Sequence, residues 1–127
     1  MDSMQALNAF WNRFEWKAYD ENTVPDDAME RNGGKYITYE AASAAFDEPI
    51  ALTASLWQRS TAWNEIVEKS YEISRAIGLV GKIIDYDDGK LWIVRGTPFS
   101  QRAGDEDDTI RRIYINITAE FMTAESS

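Results

Sequence analysis

The clearest periodic signal runs from Ile50 to Arg59. Ile50, Leu52, Ala54 and Leu56 alternate with Ala51, Thr53, Ser55 and Trp57. A period of two is that of a strand with one aliphatic face. The stretch before it, Lys35 to Phe46, reads as a partner strand. Asp47-Glu48-Pro49 between them has turn chemistry, because acidic residues precede a proline that cannot extend a ladder. The pattern then changes to a helical one from Ala62 to Ile77, where Trp63, Ile66, Ser70, Ile73 and Ile77 mark one face and Val67 and Tyr71 flank it. Thr61 is the expected N-cap, Glu65 puts a negative charge in the first turn, and Gly78 stands where a left-handed cap belongs. Glu65 and Lys69 have the i,i+4 spacing of a surface pair.

The same reasoning covers the rest of the chain. Leu7, Phe10, Trp11 and Phe14 form one apolar stripe on a first helix, Asp2 to about Glu15, and Asp2 with Gln5 has the form of a capping box. A long connection from Trp16 to Gly34 follows, with Lys17-Ala18-Tyr19 as a short extended piece. Lys82–Tyr86 and Lys90–Arg95 form a second hairpin around Asp88-Gly89. Gly96 to Asp108 is expected to be a loop. The last strand runs from Thr109 to Met122, with Ile113, Ile115, Ile117, Ala119 and Phe121 on one face and Arg112, Tyr114, Asn116, Thr118 and Glu120 on the other; Thr123 to Ser127 reads as a frayed tail. The order α-β-β-α-β-β-β predicts a single α+β domain over residues 1–127. Its sheet is mostly antiparallel, with two helices packed on one face.

Charge narrows the partners. The chain of 127 residues carries a formal net charge of −9, which argues against nucleic acid and against anionic membranes. It has no Cys and no His, so neither a disulfide framework, a thiolate metal site nor the commonest general base is possible. No basic leader or long apolar run marks export or a membrane span, and the expectation is a protein that stays in the cytoplasm where it is made. The five Trp and six Tyr point two ways, to a rich core or to aromatic contacts with other proteins.

Catalytic chemistry finds little support. Asp85-Tyr86-Asp87-Asp88-Gly89 has a superficial likeness to a calcium loop, but Gly89 and Gly96 stand where oxygen ligands belong. Asp105-Glu106-Asp107-Asp108 reads as a solvated acidic run. There is no phosphate loop, dinucleotide fingerprint or nucleophile elbow, so the expectation is a non-enzyme without a cofactor or metal. A small acidic metal- or ligand-binding domain using Asp85, Asp87 and Asp105 is the opposing reading. Candidate contact residues are Phe99, Gln101 and Arg102 in the loop, Trp57 and Arg59 with Trp63 at the strand-to-helix junction, and Arg111 with Arg112 after the acidic run. Phe99 is either an exposed contact or a loop anchor in the core. Arg111-Arg112 is either a contact or a local salt link to Asp107 or Asp108.

Several ordered segments carry a resemblance. They are residues 18–28 (Ala-Tyr-Asp-Glu-Asn-Thr-Val-Pro-Asp-Asp-Ala), 36–40 (Tyr-Ile-Thr-Tyr-Glu), 51–63 (Ala-Leu-Thr-Ala-Ser-Leu-Trp-Gln-Arg-Ser-Thr-Ala-Trp), 96–102 (Gly-Thr-Pro-Phe-Ser-Gln-Arg) and 108–116 (Asp-Thr-Ile-Arg-Arg-Ile-Tyr-Ile-Asn). In these the chain resembles the small tail-completion, or tail terminator, proteins that join head to tail in long-tailed bacteriophages and prophages. The resemblance implies an α/β or α+β subunit without enzymatic activity and a homo-oligomeric ring, typically a hexamer. Its implied partners are the tail tube protein and the head connector, and its place the head-tail junction of the virion, after assembly in the host cytoplasm. Another minor tail or head-completion role is the alternative within the same setting.

Overall fold

A computed structural model describes residues 1–42, 47–104 and 106–123. The protein is α+β. One six-stranded sheet is made of β1 (Ala18–Asp20), β2 (Lys35–Tyr39), β3 (Pro49–Arg59), β4 (Lys82–Tyr86), β5 (Gly89–Ala103) and β6 (Ile110–Thr123), in the order β1-β2-β3-β6-β5-β4. The helices are α1 (Ser3–Trp11), a single turn α2 (Ala28–Arg31) and α3 (Asn64–Ile77).

The aliphatic faces read from the sequence are the buried ones. Leu52, Ala54 and Leu56 of β3 lie beside Ile113, Ile115 and Ile117 of β6, and Leu91 and Ile93 of β5 lie beside Phe121 and Ala119. α1 and α3 cover this face with Leu7, Phe10 and Trp11 and with Ile66, Ile73 and Ile77, all essentially inaccessible. The opposite face carries neither α1 nor α3, and apart from the buried Ser55 its strand side chains are half-buried or exposed; at its β1 end Asn32, the C-cap of α2, donates to the Tyr19 hydroxyl at 2.9 Å. The capping box forms as expected: the Gln5 N–H donates to the Asp2 carboxylate and the Asp2 N–H to the Gln5 side chain, each at 2.8 Å.

The architecture departs from expectation at several points. The sheet is mixed, because β1 runs parallel to β2. The first helix stops at Trp11 and gives way to a 3-10 turn over Asn12–Phe14, ended by Glu15 in the left-handed region (φ 71°). β2 ends at Tyr39; of the longer strand expected there, residues 43–46 lie outside the described ones. Thr61 does not cap α3. The Ser60 hydroxyl accepts from the Ala62 N–H at 3.0 Å instead, and the helix begins after Trp63 with no side-chain cap. Lys69 and Glu65 part company: Lys69 pairs with Glu72 at 3.0 Å and Glu65 with Lys35 at 2.6 Å. In the second hairpin Gly89 already pairs with Tyr86, so the two turn residues are Asp87 and Asp88.

The largest departure concerns 96–108. The expected loop is mostly strand, since β5 continues to Ala103 alongside β6. The ladder absorbs Gly96 and Pro98 by a register shift. From Arg95 to Ser100 β5 advances five residues, while its partners on β6 advance only from Ile117 to Ile115. Such a bulge lets a strand pass residues that cannot continue a regular ladder. The Asn116 side chain holds the irregular segment by donating to the Pro98 carbonyl at 2.9 Å.

Candidate interaction surface

The side chains with the most contact chemistry gather into two arginine–aromatic clusters, one on each side of the sheet. The first lies on the uncovered face. Cross-strand pairing places Tyr36, Trp57 and Arg112 in one row over β2, β3 and β6. Tyr36 stacks on Trp57 with ring centres 6.1 Å apart, and Tyr19 of β1 meets Tyr36 edge-on at 6.2 Å. The Arg112 guanidinium lies 4.1 Å from the Trp57 ring centre and 4.2 Å from that of Tyr114. Its Nε and Nη2 donate to the Ser55 hydroxyl at 3.2 and 3.0 Å. The Trp57 indole N–H donates to the Thr38 hydroxyl at 3.0 Å. The row thus engages the Trp57 indole N–H and the Arg112 guanidinium internally, with Tyr19, Tyr36 and Trp57 half-buried and Tyr114 exposed. Gln101 stands directly beside Tyr114 and is exposed.

The second cluster sits at the start of α3. Trp63 lies between two guanidinium groups, Arg102 at 4.7 Å and Arg111 at 5.3 Å from its ring centre. Arg111 donates to the Thr61 carbonyl at 2.8 Å and to the Asp108 carbonyl at 3.0 Å, so it ties the acidic loop and the helix approach to the sheet through backbone oxygens. Arg102 is exposed and β5 delivers it past the bulge.

The residues expected to form contacts are therefore divided. Trp57 and Gln101 belong to the uncovered face, and Arg102 and Arg111 to the α3 cluster. Arg59 ends β3 and faces Glu30 of α2 at 3.5 Å. Phe99 is half-buried against the hydrophobic core, which is the anchor reading of that residue. Trp57 and Trp63 do not share a patch: Arg112 lies over Trp57, whereas Arg102 and Arg111 lie over Trp63. Sequence reasoning missed the part played by Tyr19, Tyr36 and Tyr114. Their signal was present as polar-face positions of strands occupied by aromatics.

The acidic residues of the opposing reading are otherwise engaged. Asp85 pairs with Lys90 at 2.6 Å and Asp87 with the Met1 amino group at 2.9 Å; Asp105 lies outside the described residues. A depression of about 440 Å³ is lined by Glu15, Trp16, Lys35, Glu65, Glu68, Lys69 and Glu72. Both of its lysines lie 5.7 Å from the Trp16 ring centre and pair with Glu65 and Glu72. The Lys35 ammonium, followed by the Gln58 amide that also donates to Glu65, holds the Glu65 carboxyl below the usual range against a smaller opposing effect of burial. These links bridge α3 to β2 and the end of β3.

No protein-family model matches the chain, and no curated protein matches it. Among the described residues no helix is long and apolar enough to cross a membrane.

Proposed function

We propose that this chain is a structural phage protein that ends the tail tube and joins it to the head, working as a ring of copies, six on the resemblance, with the tube protein on one side and the connector on the other. The observation that carries the reading is where its resemblance falls. Segments 51–63 and 108–116 become the paired strands β3 and β6 and the approach to α3, and between them they supply Trp57, Trp63, Arg111, Arg112 and Tyr114. Arginine and large aromatics are the side chains that anchor protein interfaces. Trp57, Gln101, Arg59, Arg102 and Arg111 are the proposed contacts, and Phe99 holds β5 in place beneath them. The activity is assembly, at the virion junction, with no substrate, cofactor, nucleic acid or membrane.

Electron microscopy of particles made without this protein tests the role. Tails of uncontrolled length, detached from full heads, are the expected result. Normal free tails beside leaking heads would move the protein to head completion, and unaltered virions would remove it from the junction.

A further inference from the structure

The two outer strands of the sheet are not equivalent. On β1 the outward backbone groups belong to Ala18 and Asp20: the Asn12 side-chain oxygen accepts from the Ala18 N–H at 2.9 Å and its amide donates to the Ala18 carbonyl at 3.3 Å, while the Asp20 carbonyl accepts from the Thr23 N–H at 2.9 Å. That side of the sheet is plugged. On β4, among the described residues, no hydrogen bond joins the backbone of Lys82–Tyr86 to anything except β5. The same side continues into β5 beyond Ile93, where β4 has ended.

Around this bare edge the side chains are apolar. Leu79 is 94% exposed, Val80 82%, Ile83 53% and Trp92 38%. The patch is held in place. The Trp92 indole donates to the Val80 carbonyl at 3.1 Å, Ile83 pairs directly with Trp92, and a Cβ on Gly81 (φ 97°) would come within 2.5 Å of the Trp92 Nε1. An unpaired ladder beside a fixed apolar patch is a pairing surface.

We propose that a second copy of this chain covers it, with the two β4 strands antiparallel across a two-fold axis. Charge favours that partner. β4 begins with Lys82 and runs toward Asp85, Asp87 and Asp88, a group of three carboxylates of which Asp85 and Asp87 also pair within the chain with Lys90 and the Met1 amino group. Antiparallel pairing brings each Lys82 toward the acidic end of the other strand, whereas parallel pairing would set like charge on like. Topology favours it too. With β1 plugged by Asn12, one copy's β4 cannot continue onto the next copy's β1, so edge pairing stops at two chains and does not propagate. The pair does not depend on the tail-joining role. A two-fold pair has equivalent ends, whereas a ring between tube and connector has different ones, so the pair is the form of the free chain and the ring uses another surface.

Light scattering at tens of micromolar tests the pair. The expected mass is twice the 14.5 kDa of the chain. Ile83→Lys and Val80→Asp, both at exposed positions, are expected to return it to one chain with an unchanged circular dichroism spectrum. A two-fold antiparallel pair sets one residue opposite its own copy, with Cβ atoms about 4.5–5.5 Å apart, close to disulfide reach. In this cysteine-free chain one of Ile83→Cys, Ile84→Cys and Asp85→Cys is then expected to give a covalent dimer under mild oxidation, and Tyr19→Cys on the plugged side is not. A single-chain mass for the unaltered protein, or an assembly of any size that Ile83→Lys leaves intact, overturns the proposal.

Discussion

Arg112 lies directly across the ladder from Trp57, and its guanidinium rests 4.1 Å from the centre of the indole. The same group reaches Tyr114 and holds the Ser55 hydroxyl with two N–H donors. Arg112→Ala is expected to lower stability by about 1–2 kcal/mol, the combined scale of a partly shielded cation–π contact and a charged hydrogen bond. Arg112→Lys should recover only part, because an ammonium cannot stack as a plane and donate as a fork at once. Urea unfolding followed by tryptophan fluorescence measures both. Full recovery by lysine would mean that charge alone matters at this site.

Asn12 replaces a missing strand. Asn12→Ala leaves the Ala18 N–H and carbonyl without their present partners, at a cost of about 1–3 kcal/mol. The Ala18 amide should then exchange with solvent much faster while the β3–β6 amides change only with global stability. Continued protection of Ala18 would show that something else seals that edge.

Acid weakens the link between α3 and β2. Glu65 has a lowered folded-state value, caused first by Lys35, so its contribution is present above the ordinary carboxylate value of about 4.3 and is lost as pH falls through the lower folded-state value. The Glu65 side chain is 53% exposed, so screening keeps the contribution within about 1 kcal/mol. Between pH 6 and pH 3 the stability of Lys35→Met should fall less steeply than that of the unaltered chain. Parallel curves would show that the pair does not couple to folding.

Two glycines of the β5 region should behave oppositely. A Cβ at Gly89 would stand 1.8 Å from the Met122 carbonyl oxygen, whereas at Gly104 it meets nothing within 4 Å. Gly89→Ala is expected to cost about 1–3 kcal/mol or more through displaced backbone. Gly104→Ala is expected to stay within about 0.5 kcal/mol, as surface changes do. Thermal melts of the two variants compare them, and equal melting temperatures would contradict the close approach of β5 and β6.

The alternation in β3 and β6 and the stripes of α1 and α3 announced the buried face, because a two-sided element must present one apolar side to a core. The capping box at Asp2 was readable because both partners are local. What could not be read was non-local. β1 has only three residues, and its parallel pairing depends on β2 returning beside it after a long connection. Glu65 found Lys35 across space in preference to Lys69 along the helix. Gly96 and Pro98 looked like the opening of a loop, since nothing in composition distinguishes a loop from a bulge that the next strand will hold. The candidate residues were chosen as types, arginine and aromatic, and their grouping required the sheet order. Only then does Arg112 fall on Trp57 while Arg102 and Arg111 enclose Trp63.

The slip in β5 acts as an inverter. Before it the odd-numbered residues Leu91, Ile93 and Arg95 face α1 and α3; after it the even-numbered Ser100 and Arg102 do, as their pairing with Ile115 and Ile113 requires. One residue added to or removed from 96–99 would exchange the two sides for everything downstream. Arg102 would leave Trp63 for the open face, Gln101 would turn inward, and a change of length far from either aromatic cluster would rewrite both.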